Sequence, residues 1–215
     1  KNTKVEEQPP LPIENNVLKT FSIENEPVVE LVNNREREYI FADLPDIGYS
    51  TDIDTVMASS YQVKKQLQQI VKIEQPITNT LLYKRILRIW NLTRVTTRLQ
   101  VFIDNLLEDA YKDPLSGDTI IYWEDEEKAK DCDFYRINSK RDILDIPILE
   151  VMSAARYAIE QQISMPTEDL KRLTSQLLGF SRKGNNLDMV MEQTIQLLID
   201  QGIFSHANGM VSMNN

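Results

Sequence analysis

Apolar residues recur at helical spacing in six stretches of this chain, separated by turn signals. Val56, Val63, Leu67, Ile70 and Val71 predict a first helix from residue 54 or 55 to about residue 71. Glu74-Gln75-Pro76 stops it, because proline removes a donor and biases its predecessor away from helix. Leu82, Ile86, Ile89 and Trp90 predict a second helix over 80–90, capped by Thr78 or Asn79. Leu99, Phe102, Ile103, Leu106, Leu107 and Ala110 predict a third, from Thr96 or Thr97 to about 111. Residues 119–123 and 134–137 read as two strands of a hairpin whose tip is Glu124-Asp125-Glu126-Glu127. The same order then recurs. Asp145 caps a helix to about 163, Thr167 caps one to 178 closed by Gly179, and Asn185 or Asn186 caps one over 187–201. A final hairpin turns at Asn208-Gly209.

The recurrence is visible residue by residue. Trp90-Asn91-Leu92-Thr93-Arg94 falls on Leu178-Gly179-Phe180-Ser181-Arg182, and Leu99 on Leu187. Ile-Glu-Gln triplets at 73 and 159 stand two residues closer together, so the second copy carries a short insertion. The expected fold is mainly α with small β-hairpins (α+β), built as tandem winged-helix-like units. Its parts are a linker or disordered stretch over 1–26, a short β extension and loop over 27–55, unit 1 over 56–143 and unit 2 over 144–215. Within the extension, 27–32 and 39–44 read as strands, divided by the charged string 33–38.

Charge changes this picture more than composition does. The net charge is −9, which excludes a uniformly nucleic-acid-binding surface. Residues 64–103, however, hold one acid and eight bases, whereas 104–150 hold fourteen acids and six bases. The basic block lies on the second helix and the turn before the third, where a winged helix meets DNA. Candidate DNA-binding residues are Lys84, Arg85, Arg88, Arg94, Thr96, Thr97, Arg98 and Gln100. Arginine and lysine suit phosphate, and Arg98 or Gln100 could reach base edges. The competing reading is that the basic face balances acidic segments of the same chain. The acidic hairpin tip argues against groove binding, and the second copy, diluted by Glu168, Asp169 and Asp188, reads as a structural or protein-binding unit.

Catalytic chemistry finds little footing. Cys132 is the only cysteine and His206 the only histidine, so an intramolecular disulfide and a Cys/His zinc site within the chain are excluded. Cys132 sits among acids that disfavour its thiolate. Asp43, Asp46, Asp52 and Asp54 do not follow the ligand order of an EF-hand. No catalytic residue, metal or cofactor is expected. No apolar run reaches the ~20 residues of a membrane helix. The first residues lack the apolar core of a secretory signal, and the chain reads as a cytoplasmic fragment of a longer protein.

The run Ile-Glu-Gln-Pro-Ile at 73–77, the basic Lys84-Arg85-Ile86-Leu87, Leu92-Thr93-Arg94 and the later Leu177-Leu178-Gly179-Phe180-Ser181-Arg182-Lys183-Gly184 resemble a domain of unknown function. That domain stands at the C-terminus of large bacterial superfamily-1 helicase-like proteins that also carry a nuclease domain similar to very-short-patch-repair endonucleases. Gln75, Thr78 and Asn91 depart from its pattern, where glycine, histidine and glycine are common. The resemblance, over roughly 39–180, implies a non-catalytic accessory domain of a DNA-processing, phage-defence type of protein. The expected partners are DNA through unit 1 and the other domains of the parent protein. The alternative expectation is a protein-interaction or scaffolding module that docks on those domains or forms a dimer.

Overall fold

The computed structural model describes residues 34–214, apart from 117, 118 and 161. The linker expected over 1–26 and the strand expected over 27–32 lie outside the described residues. The described chain is α+β, with eight helices and three small sheets.

The first part runs β1 (Glu36–Glu38), α1 (Ile53–Ala58), α2 (Ser60–Glu74), β2 (Ile77–Thr78), α3 (Asn79–Ile89), α4 (Thr97–Leu106), β3 (Tyr111–Lys112) and β4 (Ile121–Trp123). A short α5 (Glu126–Lys130) and β5 (Tyr135–Ile137) lead into the second part. That part is α6 (Ile148–Glu160), β6 (Ser164–Pro166), α7 (Thr167–Leu177), α8 (Asn185–Asp200), β7 (Phe204–Ala207) and β8 (Met210–Met213). Each part therefore repeats helix, short strand, helix, helix, strand, strand. The last strand is central in both sheets, in the orders β2-β4-β3 and β6-β8-β7, and all four pairings are antiparallel.

The offset of 88 residues holds at backbone level. α3 and α7 both span 11 residues, and each ends in the same C-terminal motif. Asn91 and Gly179 take left-handed conformations, with φ 48° and 87°. The Leu92 N–H donates to the Leu87 carbonyl and the Phe180 N–H to that of Ser175, both at 2.9 Å. These bonds satisfy carbonyls that a helix end leaves without an internal partner. Asparagine tolerates the left-handed region better than most residues, which is why position 91 does without glycine.

Several expected boundaries move for identifiable reasons. The first helix breaks at Ser59 into α1 and α2. The strand expected over 39–44 is displaced to Glu36–Glu38, inside the charged string, where β1 pairs in parallel with β5. The hairpin expected between 119–123 and 134–137 does not form. β4 pairs instead with Tyr111–Lys112, because Asp113 closes that turn, accepting from Leu115 N at 2.9 Å and Trp123 Nε1 at 3.1 Å. The acidic run 124–127 is no wing tip. Asp125 caps α5 through Lys128 N, and Glu126 and Glu127 occupy its first turn, where the helix dipole favours anions. Thr167 is not a cap: Pro166 holds that position, and the Thr167 hydroxyl donates to the Gly209 carbonyl. Asp145 does not cap α6 either, since its carboxylate takes Lys84.

The first core gathers Val63, Leu67, Ile70, Leu82, Ile86, Leu99 and Ile103 from the three helices. The second copy buries Ile159, Met165, Leu170, Leu198, Phe204 and Val211. Leu115, from the turn between β3 and β4, packs against this second core. A further cluster sets Tyr135 and Ile143 against Val151, Leu178 and Met191.

Buried charge joins the two parts. Glu150 on α6 is 0 % exposed and receives both Nη atoms of Arg141 at 2.8 Å, plus the backbone N–H and Nη2 of Arg136. Arg136 on β5 then caps the C-terminal end of α2, donating to the carbonyls of Glu74 at 2.7 Å, Gln75 at 3.3 Å and Pro76 at 2.6 Å. A cation at a helix C-terminus also complements the helix dipole. On the other side, Glu74 is equally buried and accepts from Arg85, from the Ala42 N–H and from the Tyr39 hydroxyl. Arg141 and Arg136 lie over the Tyr39 ring, 4.4 and 5.0 Å from its centroid.

Removing one partner from such a pair leaves a buried charge uncompensated, at about 3–5 kcal/mol. Glu150→Ala is therefore expected to lower unfolding free energy by that amount in urea titration. Burial alone would raise the Glu150 pKa, but Arg136 and Arg141 overcome it and hold the group at about 2 against an ordinary 4.5. A depressed folded pKa stabilises above the unfolded value and is lost as pH falls towards the folded one. Between about pH 5 and pH 2 the wild type should lose on the order of 3 kcal/mol that Glu150→Gln does not. Parallel acid slopes for the two proteins would contradict this.

Candidate nucleic-acid interface

Thr78 caps α3 by accepting from Leu81 N, and Thr96 caps α4 by accepting from Leu99 N, both at 3.3 Å. Leu82, Ile86 and Ile89 turn α3 inward, and Leu99 and Ile103 do the same for α4. Asp104 ties the inner side of α4 to its neighbours, accepting from Tyr83 at 2.7 Å and Tyr122 at 3.2 Å. Burial first, then the Asp104 carboxylate, pushes both phenols well above their ordinary pKa.

The eight candidate residues divide by what they touch. Arg85 belongs to the fold: its guanidinium lies on Glu74 and 4.2 Å from the Phe41 ring centroid. Lys84 binds the buried Asp145 carboxylate at 2.6 Å, which also accepts from Thr80. Thr96 is spent on its cap. Arg88, Arg94, Thr97 and Arg98 are exposed, and Gln100 is half-exposed. Arg88 lies 4.9 Å from the Phe41 ring centroid. Arg98 meets Asp54 of α1 at 2.8 Å, with both side chains more than half exposed. Such a surface pair contributes little and yields readily to another anion. Arg94 has no partner among the described residues.

Lys64 reaches Asp109 at 3.3 Å, and Lys72 stands 4.0 Å from Glu124. With Lys84, Arg85 and Arg98, five bases of the basic block thus sit beside acids, and only Glu74 among those acids lies within 64–103. The sequence block of positive charge is in large part folded onto the acidic segments that flank it. Three bases of the block have no ion-pair partner among the described residues: Lys65, exposed on α2, Arg88 in the last turn of α3, and Arg94 in the turn that follows. The residues that hold the basic side chains of α3, Tyr39, Phe41, Glu74 and Asp145, read in the sequence only as parts of a strand, a helix stop and a helix cap. Their roles come from packing across 11 to 67 positions of chain separation.

Other chemistry is quiet among the described residues. Burial, then Glu150, pushes the Cys132 thiol up to about 12, which keeps it protonated. His206 is exposed on β7. No group of three or more His, Cys, Asp or Glu stands close enough to hold a metal ion, and no helix is long and apolar enough to cross a membrane.

A family described as "Protein of unknown function (DUF3320)" matches residues 58–101, from the end of α1 through the first half of α4. The chain is similar to that family over the segment that holds all eight candidates. No curated protein matches the chain, and no solved structure does.

Committed and uncommitted arginines should separate in stability. Arg85→Ala leaves Glu74 buried and is expected to cost about 3 kcal/mol or more. Arg94→Ala should stay within about 0.5 kcal/mol of wild type. Chemical denaturation of the two variants checks this, and equal losses would overturn the division.

Proposed function

We propose that the chain is a tandem winged-helix module, a non-catalytic accessory part of a larger bacterial helicase/nuclease-type protein, and that it engages DNA through its first copy. The connectivity helix, strand, helix, helix, strand, strand with the last strand central supports the winged-helix assignment. The sequence resemblance supports the DNA-processing, phage-defence setting and the cytoplasmic location. One observation carries the DNA reading: of the three cations of the basic block left without an ion pair, Lys65, Arg88 and Arg94, two flank the turn into α4, and the weakly paired Arg98 and the exposed Thr97 follow directly after it. That turn is where a winged helix holds phosphates and begins base contact. The contact is narrower than the basic block, because Lys84, Arg85 and Thr96 serve the fold. The acidic run 124–127 is not the tip of a wing, since Asp125 caps α5 and Glu126 and Glu127 open it. The turn between β3 and β4 packs Leu115 on the second copy, so the helix rather than the wing supplies the contact.

A second reading, docking on another domain of the parent protein or on a second copy, is favoured by one feature. Val101 is 54 % exposed on α4 and shares a cleft of about 300 Å³ with Met57 and Phe102.

Titration with duplex DNA at two salt concentrations separates them. The DNA reading expects salt-sensitive binding and a log–log slope flattened by about 2 to 3 in the Arg88→Ala, Arg94→Ala, Arg98→Ala triple variant. Unchanged affinity in that variant would sink it, and retained DNA binding after Val101→Asp would count against docking at this face as the primary role.

A further inference from the structure

Pairing sorts the cations of the second copy as sharply as those of the first. Lys171, with a side chain only 12 % exposed, gathers Glu192 at 2.9 Å, Glu168 at 3.1 Å and Asp188 at 3.5 Å. Arg172 takes Asp169 at 3.1 Å, and Arg156 takes Asp133 at 3.2 Å. The acids that dilute this copy's charge along the sequence are therefore already engaged. Arg182 and Lys183 remain, adjacent and exposed, with no ionic or hydrogen-bond partner among the described residues.

Their position is the second point. By the offset of 88, Arg182 stands where Arg94 stands in the first copy, on a turn with the same C-terminal helix motif. Lys183 replaces Val95, which is half-buried against the first core. The side chain at this position therefore contributes to packing in one copy and to surface charge in the other. An arginine free of partners at the same place in both copies has no fold-holding role in either. Its planar fork suits phosphate oxygens.

We propose that the turn between α7 and α8 is a second phosphate-contacting point, through Arg182 and Lys183, so that a nucleic acid is held by both copies. This rests on the DNA reading of the first copy. Each exposed cation that neutralises a phosphate releases counterion and adds about 0.9 to the salt slope.

The test uses the whole chain and a labelled duplex across a salt series. Arg182→Ala with Lys183→Ala should weaken binding about tenfold at low salt and flatten the slope by about 2. Lys128→Ala with Lys130→Ala removes the same charge from α5, where both lysines pair four residues back with Glu124 and Glu126. That control should change affinity less than twofold. If the two double variants behave alike while the Arg88, Arg94 and Arg98 triple loses binding, the second contact is wrong and the first stands. If the wild type does not bind DNA, both fall. Polyglutamate competing as well as DNA at equal salt would overturn a nucleic acid as the partner.

Discussion

A carboxylate with no access to water must be paired, and Glu150 meets that demand with two guanidinium groups at once. One of them, Arg136, also donates through its two Nη atoms to the open carbonyls at the end of α2. The position of α6 is thereby tied to the end of a helix in the other half of the chain. Glu74, at that same end, applies the same constraint to α3 through Arg85 and to the entering chain through Tyr39 and Ala42. Two buried acids thus fix the mutual arrangement of the parts in a way that apolar packing alone does not, because ion-pair geometry is directional.

This arrangement changes what charge means in the protein. Along the chain, acids and bases segregate into blocks. In three dimensions the blocks fold against one another, and most cations of the basic stretch meet an acid from before or after it. Charge that holds structure is unavailable for a ligand, and the two kinds look identical in composition. The separation appears only when each side chain is followed to its partner. Around the turns that follow α3 and α7 it leaves Arg88, Arg94, Arg182 and Lys183 exposed and without an ion pair among the described residues.

The doubled architecture was legible from local signals. Thr78, Thr96, Asn91, Gly179 and the Asn208-Gly209 turn act through their own backbone neighbourhood. Their offsets survive into the structure because caps and turns are decided within a few residues. The hairpin of the first copy was misplaced for the opposite reason. Tyr111–Lys112 is only two residues long, too short for an alternating pattern. Its pairing with β4 depends on Asp113 reaching Trp123 across the turn. The more strand-like run ending at Ile137 pairs instead with β1, about a hundred residues away.

By itself, then, the sequence determined the α+β class, most of the helices, the repeat and the turn into α4 as the place to look for a ligand, because apolar periodicity and capping are short-range. Only the tertiary structure decided strand pairing, the role of the acidic run 124–127, and which cations are free. Those outcomes depend on long-range contacts: a buried carboxylate selects its guanidinium by geometry and desolvation, wherever along the chain it lies.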